Sequence, residues 1–223
     1  MKIHIIGDSH VRLFDDTVIK SYWTAYMSVD NAYLISHNAT NNRPLSIYRL
    51  VHEGLDLNYM YGALQVKPDN QIKEGDVVIF SFGYNDIARN VRIQQLKNRD
   101  PSEIIDDLSE KYVSFLNDFS QVHKVKTLPW FIFPPTNHVF TDGGFFRPQG
   151  TPENRLEWSR MMNKSVGDKR RCQGLPYWEN EFDSFSRPDG FMDSNFTVDF
   201  VHIKAEYREQ IVKIVLQFIS KFF

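Results

Sequence analysis

Apolar residues follow two rhythms along this chain: short unbroken runs, and longer stretches where they return every three or four positions. The first run, Ile3-His4-Ile5-Ile6, stops at Gly7-Asp8-Ser9-His10. Such a run closed by Gly-Asp predicts a buried strand ending in a sharp turn. Residues 31–36 predict a second strand, followed by a polar loop over 37–43. Residues 77–82, opened by Gly75-Asp76 and closed by Gly83-Tyr84-Asn85-Asp86, are the near-continuous run of a strand buried on both faces of a parallel sheet. Residues 128–133 predict a further strand broken by Pro134-Pro135, and residues 175–178 a last, short edge strand.

The helical rhythm fills the intervals. Residues 10–14 predict a short helix on the first strand, and Pro44 opens one running to about His52. Pro101-Ser102-Glu103 begins a longer helix with Ile104, Ile105, Leu108, Tyr112, Phe115, Leu116 and Phe119 on one stripe. Thr151-Pro152-Glu153 starts another, continued from Arg155 to Val166. The last helix runs from Ala205 to Phe222, with Ile211, Ile214, Val215, Phe218, Ile219 and Phe222 at helical spacing. Residues 136–150 are irregular, and a loop of that length in a compact domain is usually functional or mobile. Strands alternating with helices in this way predict βαβ crossovers, a parallel sheet and the α/β class. No repeat or composition break divides the chain, so one domain over 1–223 is expected.

Composition narrows the partners. A formal net charge of −2 gives no electrostatic reason to expect nucleic acid. No apolar run reaches the ~20 residues that span a bilayer, and the N-terminal run is too short for a signal peptide. No membrane partner and a cytoplasmic location are therefore expected, and the single cysteine, Cys172, fits a reducing compartment. Lys169-Arg170-Arg171 is expected to be a solvated turn. The seven histidines show no His-x-His or His-Glu-x-x-His spacing, so neither a metal nor another cofactor is expected.

Three strings carry candidate chemistry: Gly7-Asp8-Ser9, Gly83-Tyr84-Asn85-Asp86 and Asp199-Phe200-Val201-His202. Singly, each has a plain structural reading as a turn or a helix cap. Together, each ends a strand or opens a helix on what should be one edge of the sheet, where α/β folds bind ligands. They supply the parts of acyl transfer. Ser9 would be a nucleophile that His202 activates as base, and Asp199 could hold the imidazole locally. The Ser9 N–H and the Asn85 amide are suitable oxyanion donors, and losing one such donor typically costs ~3–4 kcal/mol of barrier.

Those three strings, in that order and spacing, resemble the SGNH (GDSL-type) hydrolases over nearly the whole chain. The resemblance implies a flavodoxin-like three-layer α/β/α sandwich and esterase, deacetylase or lipase activity without a metal. It assigns Ser9 as nucleophile, Asp199 and His202 as its relay, and Asn85 as an oxyanion donor. Two departures stand out. The loop over 37–43 lacks the glycine that gives the family its third oxyanion N–H, so that donor is expected among Ala39 to Asn42, with Asn41 as the candidate. His10 follows the serine where leucine is frequent, and His10 and Tyr84 are the expected substrate contacts. The expected substrate is a small-molecule or glycan ester with a small acyl group, acetyl being the simplest. Tyr84, Trp130, Phe145 and Phe146 offer aromatic faces for a sugar. An O-acyltransferase using the same triad and a non-catalytic glycan-binding module are the alternatives.

Overall fold

The computed structural model describes residues 1–8, 24–29, 32–38, 46–139, 149–178, 185–198 and 202–223. Strand β1 (Ile3–Gly7) is buried along its whole length. It can be so because parallel neighbours flank it on both sides. β3 (Ala32–Asn38) pairs with it from Ile3↔Leu34 to Gly7↔Asn38, and β4 (Val77–Ser81) from Ile3↔Val77 to Gly7↔Ser81. β5 (Lys126–Pro129) adds a fourth parallel strand beside β4. β2 (Thr24–Val29) runs antiparallel to β3 and completes the order β2-β3-β1-β4-β5.

The period of two along the strands divides the core. Ile6, Val78 and Phe80 face a cluster with α1 (Ile47–Glu53), α2 (Leu57–Leu64), α4 (Pro101–His123) and α5 (Pro152–Cys172). Ile3, Ile5, Val77 and Ile79 face the opposite way, toward Ile211, Val215 and Phe218 of α6 (Arg208–Phe222). Helices on both faces of a parallel sheet make the three-layer α/β/α sandwich expected from the sequence. A short α3 (Val91–Gln95) follows the turn after β4.

The helix starts follow local chemistry. Ser46 caps α1 by accepting from the Arg49 N–H, and Asp100 caps α4 ahead of Pro101. Thr151 and Asn154 form a reciprocal capping box at α5.

Several expectations are corrected. The fourth parallel strand begins at Lys126 and ends at Pro129 rather than spanning 128–133. After Trp130 N–H donates to the Phe80 carbonyl, the chain leaves the ladder, and the Asn163 side chain takes both the N–H and the carbonyl of Ile132. Residues 175–178 form no strand. Trp178 instead stacks 4.0 Å from Phe218 and donates to the Pro129 carbonyl, so the aromatic run is a plug at the sheet's edge. Lys169-Arg170-Arg171 lies in the last turn of α5, and Arg170 is buried, donating to the carbonyls of Thr127 and Pro176. Burial pulls the Arg170 guanidinium down to about 10. The last helix begins at Arg208, after a 3₁₀ turn over Ala205–Tyr207. Trp130 is buried, packed against Phe131 and Trp178. The expected helix over 10–14, Pro44, and the aromatic pair Phe145-Phe146 lie outside the described residues.

Candidate active site

Because Gly7 and Ser81 are in register, β1 and β4 release their chains side by side. The Asp8 N–H donates to the Ser81 carbonyl at 3.3 Å, carrying the pairing one residue past the strand. The Asp8 carboxylate, 1% exposed, accepts from Asn85 Nδ2 at 3.1 Å. Two of the three sequence strings thus meet at one edge of the sheet.

Gly83 makes the meeting possible. Its φ of +122° is one that side chains rarely adopt, and a Cβ there would lie 2.6 Å from Ile132 Cδ1 and 3.3 Å from Ile47 Cδ1. The chain turns at Gly83 and enters a helix at once, the Ile87 N–H returning to the Gly83 carbonyl at 3.0 Å. Its next five residues, Asp86–Asn90, form a π-helical turn. Such turns are rare and recur at functional sites.

Asp86 is fully buried beneath this turn. It accepts from the N–H groups of Ile47 (2.7 Å) and Tyr48 (3.1 Å) at the start of α1, and from Asn90 Nδ2 at 2.9 Å. Burial raises its pKa to about 6, against the pull of those bonds and with help from the nearby Asp8 charge. Asp86 therefore fastens the first turn of α1 to the segment that carries Asn85.

Beside Asp8 and Ser81 lies a small cleft walled by Tyr84, Phe133, Pro135 and Met192. The wall is tied together by the Met192 N–H, which donates to the Pro135 carbonyl at 3.0 Å. Arg155, buried at the start of α5, bonds to the carbonyls of His138 and Gly150, and the Tyr84 hydroxyl lies within its electrostatic reach.

His202 is half-buried beside a short antiparallel bridge. Thr197 and Ile203 form an antiparallel bridge, and the Val198 N–H donates to the His202 carbonyl at 2.8 Å. The bridge connects to the cleft wall through aromatic rings. Phe196 meets Phe185 edge-on at 6.1 Å, and Phe185 meets Phe133 edge-on at 5.1 Å.

Of the residues singled out in the sequence, Tyr84, Asn85 and His202 are placed, the first two on the cleft's rim or its support. Ser9, His10, Asn41 and Asp199 lie outside the described residues. Sequence reasoning missed what Asp8 and Asp86 do, although both stand inside the strings it quoted. It also missed the wall formed by Met192 and Pro135. Among the described residues, no group of three or more His, Cys, Asp or Glu side chains could hold a metal ion, and no helix is long and apolar enough to cross a membrane.

No protein-family model and no curated protein sequence matches the chain. Solved structures do. A GDSL-like lipase from Bacteroides thetaiotaomicron aligns with a TM-score of 0.59 at 12% identity, over 99% of this chain and 88% of its own. A catalytic mutant of an acetylxylan esterase from Geobacillus stearothermophilus aligns with a TM-score of 0.55 at 12% identity, over 100% and 94%. The C-terminal domain of the Drosophila Oskar protein aligns at 0.55 and 10% identity, over 97% and 87%. The fold is that of the SGNH hydrolases.

Proposed function

We propose that the chain is a single-domain SGNH-type serine esterase that removes a small acyl group, acetyl in the simplest case, from a carbohydrate or another polar alcohol. The observation that carries this reading is the Asp8–Asn85 contact. Asp8 is the residue before Ser9 in the sequence, so the Asn85 string meets the Gly7-Asp8-Ser9 string at a strand's carboxyl end, which supports a role for both in one site.

In this reading Ser9 Oγ attacks the ester carbonyl while His202 takes its proton and Asp199 steadies the imidazolium. The negative charge that develops on the carbonyl oxygen is met by the Ser9 N–H, the Asn85 amide and the Asn41 N–H. Collapse breaks the bond to the alcohol oxygen, which leaves with the proton held by His202. Water, deprotonated by the same imidazole, then releases the acid and restores Ser9. His10 and Tyr84 contact the substrate, and no metal or other cofactor takes part.

The test is hydrolysis of p-nitrophenyl acetate by the wild-type protein, Ser9→Ala and Asn85→Ala. Turnover should fall to the uncatalysed background in Ser9→Ala. In Asn85→Ala, kcat should drop about 10²–10³-fold. Equal, slow turnover in all three would overturn the enzyme reading in favour of a non-catalytic binding module.

A further inference from the structure

Residues 131–138, which carry one wall of the cleft, form no strand or helix, and Pro134 and Pro135 have no N–H to give to a ladder. A wall built this way depends on anchors from other elements. Helix α5 supplies two of them. Asn163 holds both backbone groups of Ile132 at the near end, and Arg155 Nη2 donates to the His138 carbonyl at 2.8 Å at the far end. Between them the Pro135 carbonyl accepts from the Met192 N–H.

Arg155 also reaches the other side of the cleft. Its second arm, Nη1, donates to the Gly150 carbonyl at 2.8 Å. The neighbouring Gln149 N–H donates to the Ala88 carbonyl, and Ala88 belongs to the π-helical turn that follows Asn85. One guanidinium thus links the wall to the turn that faces it, where Tyr84 stands. The planar fork suits this task, since its separate N–H arms reach two carbonyls in a fixed geometry. For stability alone the choice is a poor one. Arg155 is 2% exposed, these two partners are neutral carbonyls, and burying a charge costs free energy that an apolar side chain of similar size does not.

We infer that Arg155 is a positioning residue that sets the width of the cleft, holding the wall over 133–138 at a fixed distance from Tyr84 and Asn85. The inference rests on the hydrolase reading above and adds to that same site a residue that touches no substrate. With both arms engaged, the cleft grips a small ester. Without them the wall recedes, and binding weakens while the chemistry at Ser9 is retained.

The experiment compares Arg155→Met with Arg170→Met, reading p-nitrophenyl acetate turnover and amide hydrogen exchange in each. Arg170 is likewise buried on α5 and held by two carbonyls. At ~1.5 Å per residue it lies roughly 22 Å farther along the helix, so it controls for the loss of a buried arginine as such. In Arg155→Met, KM should rise about tenfold with kcat within about twofold, the pattern for lost binding rather than lost chemistry. The Gln149 and Met192 amides should exchange at least about tenfold faster while β1 keeps its protection. In Arg170→Met, KM and both amides should match the wild type, whatever the loss of stability in urea. An unmoved KM in folded Arg155→Met, or an equal rise in Arg170→Met, overturns the inference while leaving the hydrolase intact. If Arg155→Met loses its near-ultraviolet circular dichroism, Arg155→Lys takes its place. An ammonium keeps the charge without the fork, so KM should then rise only about threefold, and an unmoved KM counts against the inference as before. If no ester is turned over above the Ser9→Ala background, the hydrolase reading fails and the two amides decide. Faster exchange confined to the Arg155 variant supports the clamp, and exchange equal to the wild type rejects it.

Discussion

Gly83 is the position where conformation and packing make the same demand. Its positive φ turns the chain after β4, and its missing Cβ lets Ile132 and Ile47 close over the turn. Gly83→Ala should destabilise the fold by about 2–4 kcal/mol, through backbone strain and overpacking together. Urea unfolding would measure the loss, and one below about 1 kcal/mol would mean that the turn relaxes. Asp8 makes a different demand, for orientation. Its carboxylate takes one of the two amide hydrogens of Asn85, which fixes where the other points. Asp8→Ala should lower kcat on an ester substrate about tenfold with little change in KM, the pattern for a contact made in the transition state. An unchanged kcat with a raised KM would show that Asn85 needs no such support.

The same logic at the scale of elements explains α1. Seven residues are too few for a helix to persist by itself in water. It is held by Ser46 at its cap and by the Asp86 carboxylate on the N–H groups of Ile47 and Tyr48. Asp86→Ala would leave these donors without their acceptor and open a small void, at a cost of about 2–4 kcal/mol. Protection of the Ile47 and Tyr48 amides from hydrogen exchange should fall more than that of β1. How much of each element was legible follows from where its stabilising partners sit. β1, β4, α4, α5 and α6 carry their burial in their own periodicity, so the pattern alone located them. β2 does not. Thr24-Ala25-Tyr26-Met27-Ser28-Val29 has neither clean alternation nor Gly or Pro at its ends, and it becomes a strand by pairing with β3. Arg170 reads as one of three cations, and its burial depends on carbonyls at Thr127 and Pro176 that only the tertiary fold brings near. At the site, the strings announced their residue types, and the role of Asp86 became visible only with α1 packed against it.

Across the whole molecule, the two ends of the sheet each bury a titratable group, and the two respond to pH with opposite signs. At the end away from the cleft, the His4 ring donates or accepts at 3.1 Å with Asp76, whose carboxylate also takes the N–H groups of Lys2 and Lys73. Burial holds His4 down to about 4 despite that carboxylate. The unfolded chain therefore takes up a proton near the ordinary histidine value of about 6.5 while the folded chain refuses it. Stability is fully present above that value and falls as pH drops toward 4. Asp86 works the other way. Raised to about 6, it keeps its proton in the folded state after the unfolded chain has lost it. Its contribution is present below the ordinary carboxylate range and is lost as pH rises through about 6. Each effect is on the order of 3 kcal/mol over windows that largely coincide, so together they nearly cancel. Single substitutions should uncover the two slopes. Relative to the wild type, His4→Gln should gain stability as pH falls from 6.5 to 4. Asp86→Asn should lose stability over the same fall, beyond the constant cost of its weakened hold on α1. Urea unfolding at half-unit steps would read both differences. Parallel pH curves for the wild type and either variant would mean that the group replaced keeps its unfolded-state affinity for protons inside the fold.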